Sequence, residues 1–366
     1  MKRQQRGFTL VELMVGLVLG LLTVLVISQV LALAEGKKRS VAMGSDAQVN
    51  GALALFALQR DIQQAGYGAT ASPDALGCTV KRKFDGAGAQ LSFTLAPVVI
   101  TDGASDAPDT ITVLQGRTSG FSVPMVLSGA HLQTDDHFTV KTSLGAVAGN
   151  LMIAVPKIQD ASTWCTLFSV THDGTGSTAL SATNVPHLSG ASAKWNQSSI
   201  FPEAGYPDGS YLLNMGSMVY RSYSVDAGNS LAMAELSPTT GGSATQELAP
   251  QIVNLQALYG KDTNADGVVD TYDNATPGSN ADWLKVLSIR IAVVARSLQY
   301  EKDEVTQDAP RWDVGTTSTI TGPATTDCNG GSKCIALKVS QIADWKHYRY
   351  KVYDTVVPLR NVLWNS

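Results

Sequence analysis

Glu12 is the only charged residue in an apolar run that extends from Phe8 to Ala34. As a helix this run would be about 40 Å long, which is enough to cross a bilayer. An isolated carboxylate in lipid costs about 2–4 kcal/mol even on permissive insertion scales. We therefore expect Glu12 to meet a counter-charge in another molecule. The alternative is a position near the membrane edge, where the carboxylate reaches water.

The residues before the run form a short basic leader that ends at Gly7. The stretch from Arg6 to Glu12, RGFTLVE, resembles the class III signal of type IV pilins and pseudopilins, in which a prepilin peptidase cuts after the glycine. The resemblance implies that Gly7 is recognised for cleavage, that Phe8 becomes the N-methylated first residue, and that Glu12 pairs with the N-terminal amine of a neighbouring subunit. A secretory signal would end sooner, at an A-x-A-like site, and a plain membrane anchor would not need Glu12.

The composition favours an exported, loop-rich β structure over a helical enzyme. Only 16% of the residues are charged, and the chain contains 33 glycines. Loss of Lys2, Arg3 and Arg6 with the leader would take the net charge from −4 to −7, so there is no basic surplus and we expect no nucleic acid partner. The basic leader stays in the cytoplasm by the positive-inside rule, which sends the rest of the chain outward.

Four cysteines in an exported chain suggest two disulfides. Cys328 and Cys334 enclose a short loop with a glycine pair, which makes them the first expected bridge and leaves Cys78 with Cys165. A zinc site is the competing interpretation, but the cysteines do not form a C-x-x-C motif and no histidine lies near them in sequence.

From Ser40 to Ala65 the sequence pattern stays helical and becomes amphipathic. Two apolar rows share this segment: the first is Val49, Leu53 and Phe56, and the second is Leu55, Leu58, Ile62 and Ala65. Gly66 can end the helix in the left-handed conformation. We expect one long helix over residues 8–66, with residues 8–34 in the membrane, or else two helices with a break near Gly36 or Gly44.

The remainder, residues 67–366, predicts a β-rich head, so the expected fold class is α+β. Alternating or buried apolar segments predict strands at 109–115, 151–155, 211–213, 218–224, 230–236, 286–294 and 348–357. The segment 247–259 fits a strand or a short helix. The intervening stretches are rich in Gly, Ser, Thr, Asp and Asn, as expected of loops.

Four short sequence segments, called phrases below, resemble the PilW family of minor pilins in their residues, order and spacing. Together they cover most of the chain. They are LQRDIQQAGY at 58–67, LQALYGKD at 255–262, VLSIRIAVVAR at 286–296 and VPLRNV at 357–362. One departure concerns Cys78, because family members often place a cysteine almost directly after the first phrase. Here it comes eleven residues after Tyr67.

The resemblance implies a non-enzymatic subunit that takes part in priming and assembling the type IV pilus and that sits in a minor-pilin complex at the tip. Implied partners are other minor pilins, the major pilin, the prepilin peptidase and the inner-membrane assembly platform. The head would lie in the periplasm, anchored by one inner-membrane span, before assembly. A J-type pseudopilin of type II secretion is the alternative, although such proteins are usually much shorter. An adhesin carried on the pilus tip is a further alternative.

The segment from Asp262 to Asp273 fits a twelve-residue calcium loop. The expected ligands are Asp262, Asn264, Asp266, the Val268 carbonyl, Asp270 and Asp273, with Gly267 at the sharp turn. The final aspartate, in place of glutamate, is nearer to dockerin-like loops than to EF-hands. The alternative is a solvated turn rich in Asp and Asn.

Motifs of catalysis are absent from the sequence. The five histidines do not form a metal-binding spacing, and there is neither an H-E-x-x-H helix nor a G-x-S-x-G elbow. A hydrolase assembled from scattered Ser, His and Asp is the remaining enzymatic alternative.

Overall fold

The computed structural model describes one long helix followed by a head of short strands. The described residues are 7, 9–85, 90–118, 122–160, 162–172, 175–176, 179–190, 194–197, 200–320 and 325–363. The helices in this part of the chain are α1 (Leu10–Gln64), α2 (Asn280–Trp283) and α3 (Arg360–Leu363). The expected α+β class is confirmed. Phe8 and the leader residues before Gly7 lie outside the described residues.

Helix α1 runs without a break through Gly36 and Gly44, so the alternative of two helices is wrong. Its first part, Leu10–Gly36, has a mean hydropathy of 2.7 and is long enough to cross a membrane. None of that segment is buried against the rest of the protein. The helix ends where Gly66 adopts a left-handed backbone with φ of 84°, as expected from the sequence.

Only one of the two apolar rows on α1 packs against the head. Leu58, Ile62 and Ala65 of the second row are fully buried. By contrast, Val49, Leu53 and Phe56 of the first row are 50–62% exposed. Helical periodicity identified both rows, but only the packing of α1 against the head shows which row is covered.

The head contains strands from Thr79 onward. Their bounds are β1 (Thr79–Arg82), β2 (Leu91–Thr94), β3 (Val98–Thr101), β4 (Thr110–Gln115), β5 (Met125–Val126), β6 (His137–Thr139), β7 (Leu151–Val155), β8 (Cys165–Ser169), β9 (Asn184–Pro186), β10 (Tyr211–Gly216), β11 (Val219–Val225), β12 (Ser230–Leu236), β13 (Ser243–Pro250), β14 (Ile252–Lys261), β15 (Thr271–Asp273), β16 (Val286–Arg296), β17 (Arg311–Gly315), β18 (Thr325–Asp327), β19 (Lys333–Ala336) and β20 (Tyr350–Pro358). All the strands predicted from the sequence are present. The ambiguous segment 247–259 forms the end of β13 and most of β14, and not a helix.

The strands form several sheets, and three of them build most of the head. A six-stranded sheet has the order β2-β1-β8-β7-β10-β5, a five-stranded sheet the order β13-β12-β11-β4-β3, and a four-stranded sheet the order β15-β14-β16-β20. Neighbours in these sheets are antiparallel except β1 and β8, which run parallel. A three-stranded sheet (β17-β19-β18) and the pair β6-β9 complete the described part.

The main core lies between α1, the four-stranded sheet and the five-stranded sheet. Leu58 and Ile62 of the helix share it with Leu255, Ile289 and Val357. Burying these side chains stabilises the attachment of the helix, at about 1.5–3 kcal/mol for each large apolar side chain. The six-stranded sheet has its own apolar clusters, away from α1.

Candidate functional site

The N-terminal end of α1 holds Glu12 in a capping box with Thr9. The Thr9 hydroxyl accepts a hydrogen bond from the Glu12 backbone N–H at 3.3 Å, and a Glu12 carboxylate oxygen accepts from the Thr9 backbone N–H at 3.2 Å. Each residue thus satisfies a donor that the first helical turn leaves open. The negative side chain also suits the positive end of the helix dipole.

Two other polar side chains of the span form hydrogen bonds within it, whereas the charge of Glu12 has no partner of opposite charge among the described residues. Thr23 and Ser28 donate to the carbonyls of Leu19 and Leu25, one turn back along the helix. Among the described residues no cation lies within ion-pair distance of the Glu12 carboxylate. The capping box orders the carboxylate but leaves its charge uncompensated. Gly7, just before it, is exposed and has open space around it.

An ion-pair network fastens the far end of α1 to the five-stranded sheet. Asp61, only 8% exposed, accepts a hydrogen bond from the Arg221 guanidinium at 2.8 Å. The same carboxylate accepts from the Tyr223 hydroxyl. Arg221 also donates to Glu235 at 3.1 Å. A buried carboxylate with a cation and a hydroxyl on one oxygen fixes both the position and the rotation of the helix.

The sequence contains one signal for this network. Asp61 lies three residues after Leu58 and four before Ala65, so it belongs to the row of α1 that faces the head. A lone acid within a buried apolar row is expected to have a partner. The sequence cannot show that the partner is Arg221, which is 160 residues away.

Two further contacts hold α1 closely against the head. Tyr353 of β20 packs over Gly51 so closely that a methyl group there would overlap its ring. At the helix end, the Asn361 side chain donates to the carbonyls of Gln64 and Ala65 at 3.2 and 2.9 Å. These are carbonyls that a helix C-terminus leaves without partners. The last phrase of the sequence therefore caps the first helix.

The four phrases noted in the sequence meet in this one region. The first is the end of α1, the second lies in β14, the third is β16, and the fourth joins β20 to α3. Their side chains form the shared core beneath the helix. Segments spread over 300 residues of sequence thus make one structural unit.

Two family models match the chain. The model described as Type IV Pilus-assembly protein W matches residues 220–361, and the model described as Prokaryotic N-terminal methylation motif matches residues 2–28. The chain is similar to PilW proteins over its C-terminal region and to type IV prepilins at its N-terminus, which is consistent with a PilW-like type IV pilin. Searches of curated proteins and of solved structures returned no match.

The matched regions divide this pilin into parts with and without a family match. Residues 220–361 contain strands β12 to β20 and nearly all of β11, and they are the part on which α1 rests. The six-stranded sheet is built mainly from residues between the two matches. Pilin-type regions therefore lie at both ends of the chain, with a large additional sheet between them.

The loop from Asp262 to Asp270 is ordered around the carboxylate of Asp262. Its two oxygens accept from the backbone N–H groups of Ala265 and Gly267, both at 2.7 Å. Gly267 has φ of 82°, as the predicted sharp turn requires. Asn264 donates to Asp266 at 3.2 Å and to Asp270 at 3.3 Å, so three of the expected side-chain ligands are in contact, whereas the Asp262 carboxylate bonds to backbone N–H groups.

The remaining expected ligands are arranged differently. Asp273 lies in β15, where Lys261 donates to its carboxylate at 2.7 Å. Val268 is exposed and its backbone N–H donates to Asp266. Hydrogen bonds from the Thr263 hydroxyl and backbone lower the pKa of Asp270. Among the described residues no group of three acidic, His or Cys side chains is close enough to hold a metal ion.

Both expected disulfides of the pilin are confirmed. Cys78 pairs with Cys165, with 6.1 Å between their Cα atoms, and Cys328 pairs with Cys334 at 5.5 Å. The first joins the segment before β1 to β8, next to the only parallel strand pair of the six-stranded sheet. The second closes the loop before β19.

A histidine pair is buried in the six-stranded region, although the sequence spacing did not suggest it. The Nε2 atoms of His131 and His187 are 2.7 Å apart. The pair is surrounded by rings, with His131 stacked on Phe138 and His187 next to Phe201. Burial lowers the pKa of His131 to about 4 and also lowers the pKa of His187, so one neutral ring donates to the other.

Proposed function

We propose that this pilin is a minor pilin that takes part in priming and assembling the type IV pilus, in a complex at the pilus tip. The observation that carries the proposal is Glu12, an uncompensated carboxylate on a span that the head does not cover. The N-terminal amine of a neighbouring subunit, freed by cleavage after Gly7 and methylated on Phe8, would supply the counter-charge. Such a pair gives register to otherwise apolar helices.

The exposed row on α1 supports packing against other pilin helices. Val49, Leu53 and Phe56 lie beyond the span and are at least half exposed. They lie on the same helix as the span, beyond the charged segment that follows it. Large apolar side chains grouped on one surface mark interaction sites. Helices of other minor pilins and of the major pilin are the partners that fit this surface.

The size of the head supports a place at the end of the filament. Beyond the PilW match, the head carries a six-stranded sheet with its own core. A subunit repeated along a filament must fit neighbours above and below. A subunit at the tip has neighbours on one side only, so an enlarged head is tolerated there. Before assembly the span would hold the head on the periplasmic side of the inner membrane, next to the assembly platform.

Pilus production in a deletion strain tests the proposal. We would measure pilin sheared from the cell surface after returning wild type, Glu12→Gln or Glu35→Gln. Glu12→Gln removes the charge but can keep the capping hydrogen bonds. Glu35 is an exposed glutamate further along the same helix and is the matched control. Immunoblots of membranes would show that all three proteins accumulate equally.

We expect pili to be lost in the deletion strain, restored by wild type and Glu35→Gln, and not restored by Glu12→Gln. Undiminished pili in the deletion strain would contradict the priming role. Loss of exported enzymes with intact pili would favour a J-type pseudopilin. Loss of surface attachment with intact pili would favour a tip adhesin. Neither alternative requires catalysis by this chain.

We also propose that the loop 262–273 binds calcium through Asp262, Asn264, Asp266, the Val268 carbonyl, Asp270 and Asp273. Its support is the spacing of these oxygen-bearing side chains in the sequence, the contacts of Asn264 with Asp266 and Asp270, and the left-handed turn at Gly267. Binding through Asp273 requires that its carboxylate leave Lys261. Calcium would hold this loop rigid outside the cytoplasm.

Thermal unfolding of the detergent-solubilised chain tests calcium binding. We expect calcium to raise the melting temperature relative to chelator, and Asp266→Ala to abolish the rise. Asp303→Ala, an exposed aspartate in another loop, should keep it. Identical melting curves in calcium and chelator would show that the loop is only a solvated turn.

A further inference from the structure

A cavity of about 470 Å³ lies in the PilW-type part of the head. The β11–β12 hairpin, the start of β14, the end of β16 and the loop from Gln341 to Tyr348 surround it. The residues that matter for its chemistry are Asp226, Val253, Arg296, Ile342, Ala343 and Tyr348. Its volume falls within the range of about 300–1,000 Å³ that is typical of ligand sites.

Arg296 is held in a fixed orientation at this cavity. Its guanidinium lies over the Tyr348 ring, 4.3 Å from the ring centre. Its Nε and Nη2 atoms both donate to the side-chain oxygen of Gln251, at 2.9 and 2.6 Å. Among the described residues no carboxylate lies within ion-pair distance, so the positive charge is balanced only by a neutral amide and a ring.

Two other half-buried arginines of this head have carboxylate partners. Arg221 faces Asp61 and Glu235, and Arg290 faces Asp354. A guanidinium is a planar fork of donors that matches a carboxylate. Nη1 of Arg296 remains available as a donor, because the described hydrogen bonds of the guanidinium use only Nε and Nη2.

The residue that orients Arg296 has an uncommon backbone conformation. Gln251, between β13 and β14, has φ of 60°, a region that residues other than glycine rarely adopt. Its carbonyl also accepts from the Arg296 backbone N–H at 2.8 Å. Strained residues of this kind cluster at binding sites, where the surrounding structure holds them in place. The two hydrogen bonds to the Gln251 side chain hold the guanidinium at the edge of the cavity.

A negative charge, that of Asp226, also lines the cavity but does not form an ion pair with Arg296. Asp226 accepts from the backbone N–H groups of Gly228 and Ser230 at 2.8 and 3.0 Å. In the described part of the chain it forms no ion pair. Between the two charges the lining is apolar, with Val253 and Ile342. A peptide segment suits this arrangement because it carries a carboxylate, N–H donors and apolar side chains.

We propose that this cavity binds the carboxylate of a peptide segment from a partner protein. The carboxylate, from a chain terminus or an acidic side chain, would accept from Nη1 of Arg296. A neighbouring N–H of the segment would donate to Asp226. The site is independent of Glu12 and of the span, so it does not depend on the priming role.

Fluorescence anisotropy on the detergent-solubilised full chain tests the proposal. The probes are three pools of labelled hexapeptides: one with a free carboxyl terminus, one amidated, and one amidated with a central glutamate. We expect the free-acid pool, the glutamate pool or both to bind, and the plain amidated pool not to bind. Which pool binds identifies the source of the carboxylate.

Variants of the cavity decide whether binding occurs there. Arg296→Gln removes a charge-assisted hydrogen bond, so we expect Kd to rise about tenfold or more. Arg311→Gln, at an exposed arginine of β17, is the matched control and should not change Kd. Gln251→Gly keeps the left-handed backbone but releases the guanidinium, and it should weaken binding as well.

A second pair of variants leaves Arg296 in place and avoids its possible effect on folding. Ala343 is exposed at the cavity. Ala343→Glu would place a competing carboxylate at the entrance and block the probe, whereas Ala343→Gln, of the same size, would not. Equal binding of the amidated pool, or equal Kd values for Ala343→Glu and Ala343→Gln, would overturn the proposal.

Discussion

The ion pair of Asp61 allows the most direct test of how α1 is attached to the head. Asp61→Ala would leave the Arg221 guanidinium and the Tyr223 hydroxyl without their shared acceptor. Removing one partner of a buried ion pair costs about 3–5 kcal/mol. Arg221 retains Glu235, whose side chain is 34% exposed, so the loss should lie near the lower limit, at about 3 kcal/mol.

Urea unfolding followed by tryptophan fluorescence would measure this loss. All six tryptophans lie after residue 163, in the head. With a denaturant slope of about 3 kcal/mol per M, a loss of about 3 kcal/mol lowers the midpoint by about 1 M. Asp61→Asn keeps an acceptor for Tyr223 but not the charge, so its midpoint should fall between those of wild type and Asp61→Ala.

Asp46→Ala is the matched control, because Asp46 is an exposed aspartate on the same helix. We expect it to change the midpoint by less than about 0.2 M, in line with surface substitutions of about 0.5 kcal/mol. If Asp61→Ala shifted the midpoint no further than Asp46→Ala, the network would contribute nothing to helix attachment. The reasoning from burial would then be refuted.

Three other changes give separate outcomes. Gly51→Ala would force Tyr353 aside, a strain of about 1–3 kcal/mol that outweighs the helix propensity gained, so the urea midpoint should fall, whereas Gly36→Ala in open space should not lower it. The folded state lowers the pKa of His131 to about 4, so stability is lost as pH falls from about 6.5 to 4. Replacing His131 and His187 by Phe together should remove that loss. Burial raises the pKa of Asp109 to about 7, so stability is lost as pH rises from about 4 to 7, and Asp109→Asn should abolish this loss.

The two pH effects have opposite signs over much of the same range, so each must be taken from the difference between wild type and variant. Asp135, Asp136 and His137, whose charges act on His131, are present in both proteins, so the difference reports the histidine pair. A difference curve that is flat from pH 4 to 6.5 would contradict the account of the histidine pair. A flat curve for Asp109→Asn would mean that the N–H groups of Gly103 and Ala257 offset the burial.

Local pattern was sufficient for much of the fold. The bounds of β7 and β12 agree with those predicted, because each is a short apolar or alternating segment between turn-forming residues. The parallel pairing of β1 with β8 was not predictable, since it joins strands that are 85 residues apart and depends on the whole chain path. The disulfide Cys78–Cys165 spans the same two segments, so the cysteines did indicate which parts of the chain meet.

The candidate sites also differ in whether their residues are close together in the sequence. Glu12 and the loop from Asp262 are contiguous in sequence, so residue types and spacing were enough to propose them as candidate sites. The cavity at Arg296 and the pair of His131 with His187 combine residues that only the fold brings together. Spacing in sequence excluded a histidine cluster, although two of the five histidines are in contact. Long-range sites of this kind become predictable only when strand order is known.

The distribution of contacts along α1 determines how a force on the span would be transmitted to the head. The helix is buried against the head from Ala47 to Ala65, about 27 Å of its length, and extends about 55 Å beyond it to Leu10. A force on the span would reach the head through this contact and through the peptide chain that follows the helix. Because α1 contains no proline, the helix does not have an intrinsic break that could absorb the strain. Asp61 and Gly51 lie within the contact and so determine how firmly the span and the head move together.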